Sequence, residues 1–95
     1  MHVITRKRLN DFAANYPDTR SALAHWYTIM RKARFANFVQ LRQTFPHADV
    51  VGKFTVFDIG GNKVRLIAAV HSNRGKIYIR HVLTHEDYDK GKWKQ

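Results

Sequence analysis

Ninety-five residues, 44% hydrophobic and 13% aromatic, suffice for one small core and exclude a disordered basic tail. Seventeen Lys and Arg against seven Asp and Glu give a formal charge of +10, which makes a polyanion, nucleic acid above all, the leading class of partner. The lack of Cys excludes a disulfide framework, a thiolate nucleophile and a cysteine-ligated zinc site, and no apolar run nears the ~20 residues of a membrane span. The opening MHVITRKR has no signal-peptide core, so the expected compartment is cytoplasmic, with no membrane partner. No linker or internal repeat interrupts residues 1–95, which read as a single domain.

In chain order, His2–Ile4 reads as a short strand. Leu9, Phe12, Ala13 and Tyr16 recur at i, i+3, i+4 and i+7, predicting an amphipathic helix that follows a Thr5 cap and stops at Pro17. Asp18 or Thr19 caps a second helix with the stripe Leu23, Trp26, Tyr27 and Met30, surrounded by Arg20, Arg31, Lys32 and Arg34. A weaker third helix covers residues 37–44, before Pro46. The period then changes to two. Residues 54–59, 63–71 and 76–83 are rich in Val, Ile, Phe and Tyr, and are separated by Gly60-Gly61-Asn62 and Ser72-Asn73-Arg74-Gly75, both hairpin signals. The expected fold is α+β and two-layered, with N-terminal helices packed on an antiparallel sheet of three to four strands, the fourth being the N-terminal one.

Strand alternation sorts the two faces of that sheet. Val64, Leu66, Ala68 and Val70 form an apolar row toward the helices, joined by Thr55, Phe57 and Ile59 and by Ile77, Ile79 and Leu83. The opposite face receives Phe54, Val56 and Asp58, then Lys63, Arg65, Ile67, Ala69 and His71, then Lys76, Tyr78, Arg80 and Val82. Pairing His71 with Lys76 across the second turn sets Ala69 against Tyr78 and Ile67 against Arg80. A register shifted by one would bury the Asp58 carboxylate, which is costly. Asp58, Lys63, Arg65, Tyr78 and Arg80 are therefore expected on one exposed face, a setting suited to a phosphodiester. Past the last strand, Thr84 and Asp87 resemble a capping box, and the short turn they start would carry His85 and Tyr88 together on one side.

RNA supplies its own nucleophile, the 2′-hydroxyl, so cleavage needs a base, an acid and cations for the developing charge. His85 is the natural titrating group, since imidazole has an unperturbed pKa of about 6.5. Arg65 and Arg80 offer forked donors to phosphate oxygens, and Tyr88 orients a base by stacking or shares in proton transfer. The scheme requires no metal and no cofactor, and His81 with His85 lacks the helical spacing of a zinc pair. Plainer readings stand beside these. Surface cations are commonly just solvated, Asp58 pairs with Arg65 or Lys63, and His81 packs on the core side of its strand. Glu86, Asp87 and Asp89 read as solvated carboxylates, Trp26 and Tyr27 as core, and Trp93 as an exposed anchor or a residue without a role. His2, His25 and His47 are isolated.

Residues 57–71, FDIGGNKVRLIAAVH, and 78–90, YIRHVLTHEDYDK, resemble the HigB toxins of the RelE-like superfamily of type II toxin–antitoxin systems. The GGNK-x-R and TH-x-x-YD elements carry the likeness, and VITRKRL, Tyr16-Pro17-Asp18 and the Trp26-Tyr27 helix extend it over nearly the whole chain. The resemblance implies a RelE-like fold and a metal-independent endoribonuclease that cuts mRNA in the ribosomal A site. It also implies inhibition by a HigA-type helix-turn-helix antitoxin, through which the toxin meets operator DNA only indirectly. Arg65 and Arg80 would match the superfamily's sheet arginines, and His85 and Tyr88 its C-terminal catalytic region. Lys53, Lys63 and Lys90 then read as weaker phosphate contacts. The chain departs from the HigB pattern at Asp58, where Asn is common, and at Val64 and His81, where aromatics are common. Asp58 would either help as a base or neutralise Arg65. The competing readings are a noncatalytic RNA- or ribosome-binding module and a protein partner of a DNA-binding regulator.

Overall fold

The computed structural model describes residues 1–61 and 63–94. Strands β1 (His2–Ile4), β2 (Asp49–Val51), β3 (Phe54–Ile59), β4 (Val64–His71) and β5 (Lys76–Thr84) form one sheet in the order β1-β5-β4-β3-β2. Helices α1 (Lys7–Asn15), α2 (Arg20–Lys32) and α3 (Phe38–Thr44) lie between β1 and β2, and α4 (His85–Asp89) follows β5. The α+β expectation holds, but the sheet is five-stranded and mixed rather than antiparallel with three to four strands. β1 runs parallel to β5, and β2 adds an edge beside β3. Two physical reasons account for the difference. β1 and β5 are far apart in the chain, so no hairpin dictates their relative direction. β2 has only three residues, too few to show a period, and its turn to β3 relies on Gly52 at φ 62°.

The helical stripes bury as their spacing requires. Leu9 and Ala13 of α1, Leu23, Trp26 and Met30 of α2, and Leu41 of α3 enter the main core, where they meet Phe57, Ile59, Val64, Leu66 and Ala68. Trp26 and Phe45 each meet Phe57 edge-on, with centroids 5.4 and 5.2 Å away. The caps follow the sequence only in part. Asn37 accepts from the Gln40 amide at 3.0 Å, but Thr5 adopts φ 74° and does not cap α1. The Thr19 hydroxyl instead donates back to the Tyr16 carbonyl at 2.7 Å, across a 3-10 turn at Pro17–Thr19.

The first hairpin pairs Asp58 with Arg65 and Ile59 with Val64, as strand parity demands. Gly60 and Gly61 both adopt positive φ in its turn, while Asn62 lies outside the described residues. In the second hairpin, His71 faces Lys76 and Ala69 faces Tyr78, but Ile67 faces His81, not Arg80. Arg80 is the extra residue of a β-bulge, and it reverses the parity of everything after it. Val82, expected on the open face, therefore packs on the main core, while Leu83, expected in the core, joins the other face. His81 moves with Leu83 and is half-buried opposite Ile67, not packed on the helix side.

Nor is the second face open throughout. A 3-10 turn at Lys92–Lys94 lays Trp93, only 8% exposed, on Val56 and Ile67, and Val51, Phe54, Leu83 and Tyr88 close around it. The C-terminal segment thus covers an apolar centre on this face, and the charged groups remain at its margin. Trp93 is a structural lid, neither an exposed anchor nor an idle residue.

Candidate active site at the end of the sheet

Cross-strand pairing of Asp58 with Arg65 brings Arg65 Nη1 to 2.6 Å from Asp58 Oδ1, with the two side chains 14% and 28% exposed. The same guanidinium lies over the Tyr88 ring, 5.5 Å from its centroid. Tyr88 in turn stacks on Trp93 at 5.3 Å and 15°, and Trp93 Nε1 donates to the Tyr88 carbonyl at 3.2 Å. Arg65 is therefore held between a carboxylate and an aromatic face that is itself clamped. A guanidinium held this way keeps one orientation, which is what recognition of a phosphate requires of it.

Helix α4 grows directly from β5. Thr84 Oγ1 accepts from the Asp87 amide at 3.1 Å, the half of a capping box that the sequence suggests. The His85 amide reaches the Lys63 carbonyl at 3.3 Å and ties the helix to the first hairpin. One turn on, Asp89 Oδ2 lies 3.2 Å from His85 Nε2. His85 lines a cleft of about 490 Å³ with Phe12, Tyr16, Lys63 and Glu86, and Lys63 stands 3.9 Å from Asp18 there. His85 and Tyr88 thus have different immediate neighbours, the first at this cleft and the second against Arg65 and Trp93.

The other expected site residues are dispersed. Arg80 is exposed at the bulge. Burial of the His81 ring holds its pKa below the ordinary value, and the charges of Arg8 and Arg80 add to that. Lys90 pairs with Asp87 at 3.7 Å, and Lys53 lies in the β2–β3 turn over the Phe54 ring at 5.6 Å. Tyr78 is set toward the far end of the strand, edge-on to His71 at 5.2 Å. Among the described residues, no cluster of His and carboxylate groups is placed to hold a metal ion, and no helix is long and apolar enough to cross a membrane.

Three residues of this region escaped the sequence reading. Asp89 was legible as an i+4 partner of His85. Trp93 gave no signal beyond being aromatic, and the place of His81 depends on a bulge that no pattern announces.

Residues 19–91 match the family model of the HigB toxin, described as the RelE-like toxic component of a toxin–antitoxin system. The chain is 38% identical over 92 residues to the mRNA interferase toxin HigB of Escherichia coli K12, which spans 94% of this chain and 88% of that protein. The mRNA interferase HigB of Shigella flexneri shows the same identity and coverage. The mRNA interferase HigB of Escherichia coli O6:H1 is 30% identical over 93 residues, 95% of this chain and 90% of that protein.

Proposed function

This chain belongs to the HigB family of RelE-like toxins, and on that premise we propose how it cleaves messenger RNA and with which residues. It is the toxin of a toxin–antitoxin system and an mRNA endoribonuclease, with an antitoxin as its natural partner. The observation that carries the site assignment is the clamped guanidinium of Arg65, 2.6 Å from Asp58 and stacked over Tyr88. A preoriented donor stabilises charge on a phosphorane more than on the resting diester, which is the requirement for catalysis.

In this reading the 2′-oxygen attacks phosphorus and the bond to the 5′-oxygen breaks, leaving a 2′,3′-cyclic phosphate and a 5′-hydroxyl. Arg65 donates to the non-bridging oxygens, and Arg80 adds a second cation. His85 moves the protons. His85 takes the proton of the 2′-hydroxyl, and Asp89 Oδ2, 3.2 Å from Nε2, balances the charge that the ring gains. Tyr88 positions the nucleotide with a ring that Trp93 keeps in place. Lys53, Lys63 and Lys90 contact flanking phosphates. The reaction needs no metal or cofactor. The chain acts as one domain over residues 1–95 in the cytoplasm, on messenger held by the ribosome. A HigA-type helix-turn-helix antitoxin restrains it and provides its indirect contact with operator DNA.

Translation of a defined messenger with and without the protein, followed by mapping of new 5′ ends, tests the reading. Arg65→Ala and His85→Ala should each lower cleavage by roughly 100-fold or more, the scale expected for a charge-stabilising donor or a proton-transfer group. Cleavage that persists in both variants would sink the assignment. Tight RNA binding by the parent without cleavage in any ribosome-containing assay would point to a noncatalytic binding module.

A further inference from the structure

The bulge at Arg80 creates a feature around His81 of which the cleavage reading uses only Arg80 and Lys90. His81 is the shared wall of two adjoining clefts along β5. One, of about 340 Å³, opens toward α1 and is lined by Arg8, Asp11 and Asn15. The other, of about 370 Å³, opens toward the C-terminal segment and is lined by Asp87, Lys90, Lys92 and Trp93. Both reach the lower range of volumes that take small ligands.

The charge around His81 is one-sided. Arg8 and Arg80 act on the imidazole, while Lys90 and Lys92 border its far side. The two carboxylates in the clefts are already engaged, Asp11 with Lys7 at 3.9 Å and Asp87 with Lys90 at 3.7 Å. Among the described residues, Arg8, Arg80 and Lys92 have no ion-pair partner. Cations gathered around a half-buried ring repel one another in the free protein, and a bound anion relieves that repulsion.

Position selects the anion. Arg65 is paired with Leu83 and Ile67 with His81, so His81 is the next same-face position along β5 from the Arg65 pair. Two residues of strand span about 7 Å, a distance that one nucleotide step covers.

We propose that the cleft at His81, with Arg8, Arg80, Lys90 and Lys92 around it, is a second RNA subsite that binds the phosphodiester next to the one cleaved. The proposal rests on the placing of the scissile phosphate at Arg65. His81 acts here as a binding residue, its ring nitrogens meeting a phosphate oxygen or the edge of a base. A phenylalanine at this position would offer stacking alone.

Binding of a short fluorescent RNA with 2′-O-methyl groups throughout, which cannot be cleaved by its own 2′-oxygen, separates this subsite from catalysis. Fluorescence anisotropy over a range of salt should show the exposed double variant Arg8→Ala/Lys92→Ala binding about tenfold more weakly than the parent. Its log–log salt slope should be shallower by roughly 0.7 for each phosphate that the variant no longer neutralises. In NMR spectra, the ring C–H signals of His81, assigned with His81→Phe, should shift on RNA addition and titrate at higher pH, as a bound phosphate offsets the charge of the neighbouring cations. An unchanged affinity and slope, with unmoved His81 signals, overturns the proposal. A double variant that binds RNA normally but no longer binds the antitoxin would overturn it in favour of a protein-docking surface. Cleavage by the parent alongside unchanged RNA binding by the variant would reject the subsite and leave the cleavage reading standing. Weakened RNA binding by the variant, in a parent that never cleaves, would support the subsite and reject the cleavage reading.

Discussion

Asp58 and Arg65 form a tight charged contact at the site, and the sequence left open whether the carboxylate helps or masks the cation. The 2.6 Å contact, with the arginine side chain only 14% exposed, fixes the direction of the guanidinium and at the same time sets a negative charge beside it. Asp58→Asn keeps an acceptor oxygen and removes the charge. We expect the uncleavable RNA to bind severalfold more tightly at low salt, with the gain fading as salt rises, as anisotropy will show. Weaker binding would mean that orientation by the carboxylate outweighs its repulsion. His81 gives a prediction of a different kind. Its folded-state pKa lies below the ordinary value, chiefly through burial and then through Arg8 and Arg80. Between the two values the unfolded chain binds more protons, so stability rises with pH there and is lost as pH falls below about 6.5. His81→Phe should lose less stability than the parent between about pH 7 and pH 5.5, compared by urea midpoints.

At the scale of elements, the short helix α4 would be marginal alone, because a single turn cannot repay its own nucleation. Three ties hold it: the Thr84 cap, the His85 amide on the Lys63 carbonyl, and Tyr88 against Trp93. Trp93 matters most, since it also fills the second apolar centre over Val56 and Ile67. Trp93→Ala should destabilise the fold by about 3 kcal/mol in urea denaturation, the low end for a buried large aromatic. It should also lower cleavage under conditions where the protein remains folded, because Tyr88 and Arg65 lose their support. Full activity in that variant would show that the stack does not position Arg65. Helices α1, α2 and α3 and the central hairpins were legible, since Leu9, Leu23, Trp26 and the alternating Val64, Leu66 and Ala68 repeat at the period of their element. β2 was not, for its three residues are held by partners on β3 rather than by a pattern of their own.

Over the whole molecule, the +10 charge resolves into separate regions. Arg65 and Lys63 flank the sheet end, while Arg8, Arg80, Lys90 and Lys92 gather at His81. Arg6, Arg20 and Arg31 border a groove of about 520 Å³ between α1 and α2, in the helical layer. Short RNA bound at the sheet end would not reach the helical groove, whereas ribosomal RNA offers a much larger surface. The paired charge reversals Arg20→Glu and Arg31→Glu should therefore change the affinity for short RNA by less than about twofold at moderate salt, where distant charges are screened. Cleavage of messenger during translation should drop by about tenfold or more, as expected when cations that neutralise several phosphates are replaced by carboxylates. Equal losses in both assays would place the short RNA on the helices as well.

Local chemistry settled a good deal by itself: the polyanion partner, the amphipathic helices, the two sheet faces up to Arg80, the Thr84 cap, and the pairing of Asp58 with Arg65. Each of these follows from side-chain type or from a period set by backbone geometry, and a short window contains all the information needed. The parallel placing of β1, the bulge at Arg80, the reversal of His81, Val82 and Leu83, and the docking of Trp93 were decided only by tertiary structure. A bulge forms when packing on both sides of a strand favours one extra residue, and a C-terminal tryptophan docks where distant strands leave an apolar hollow. Those free energies belong to contacts between remote segments, so no local window carries them.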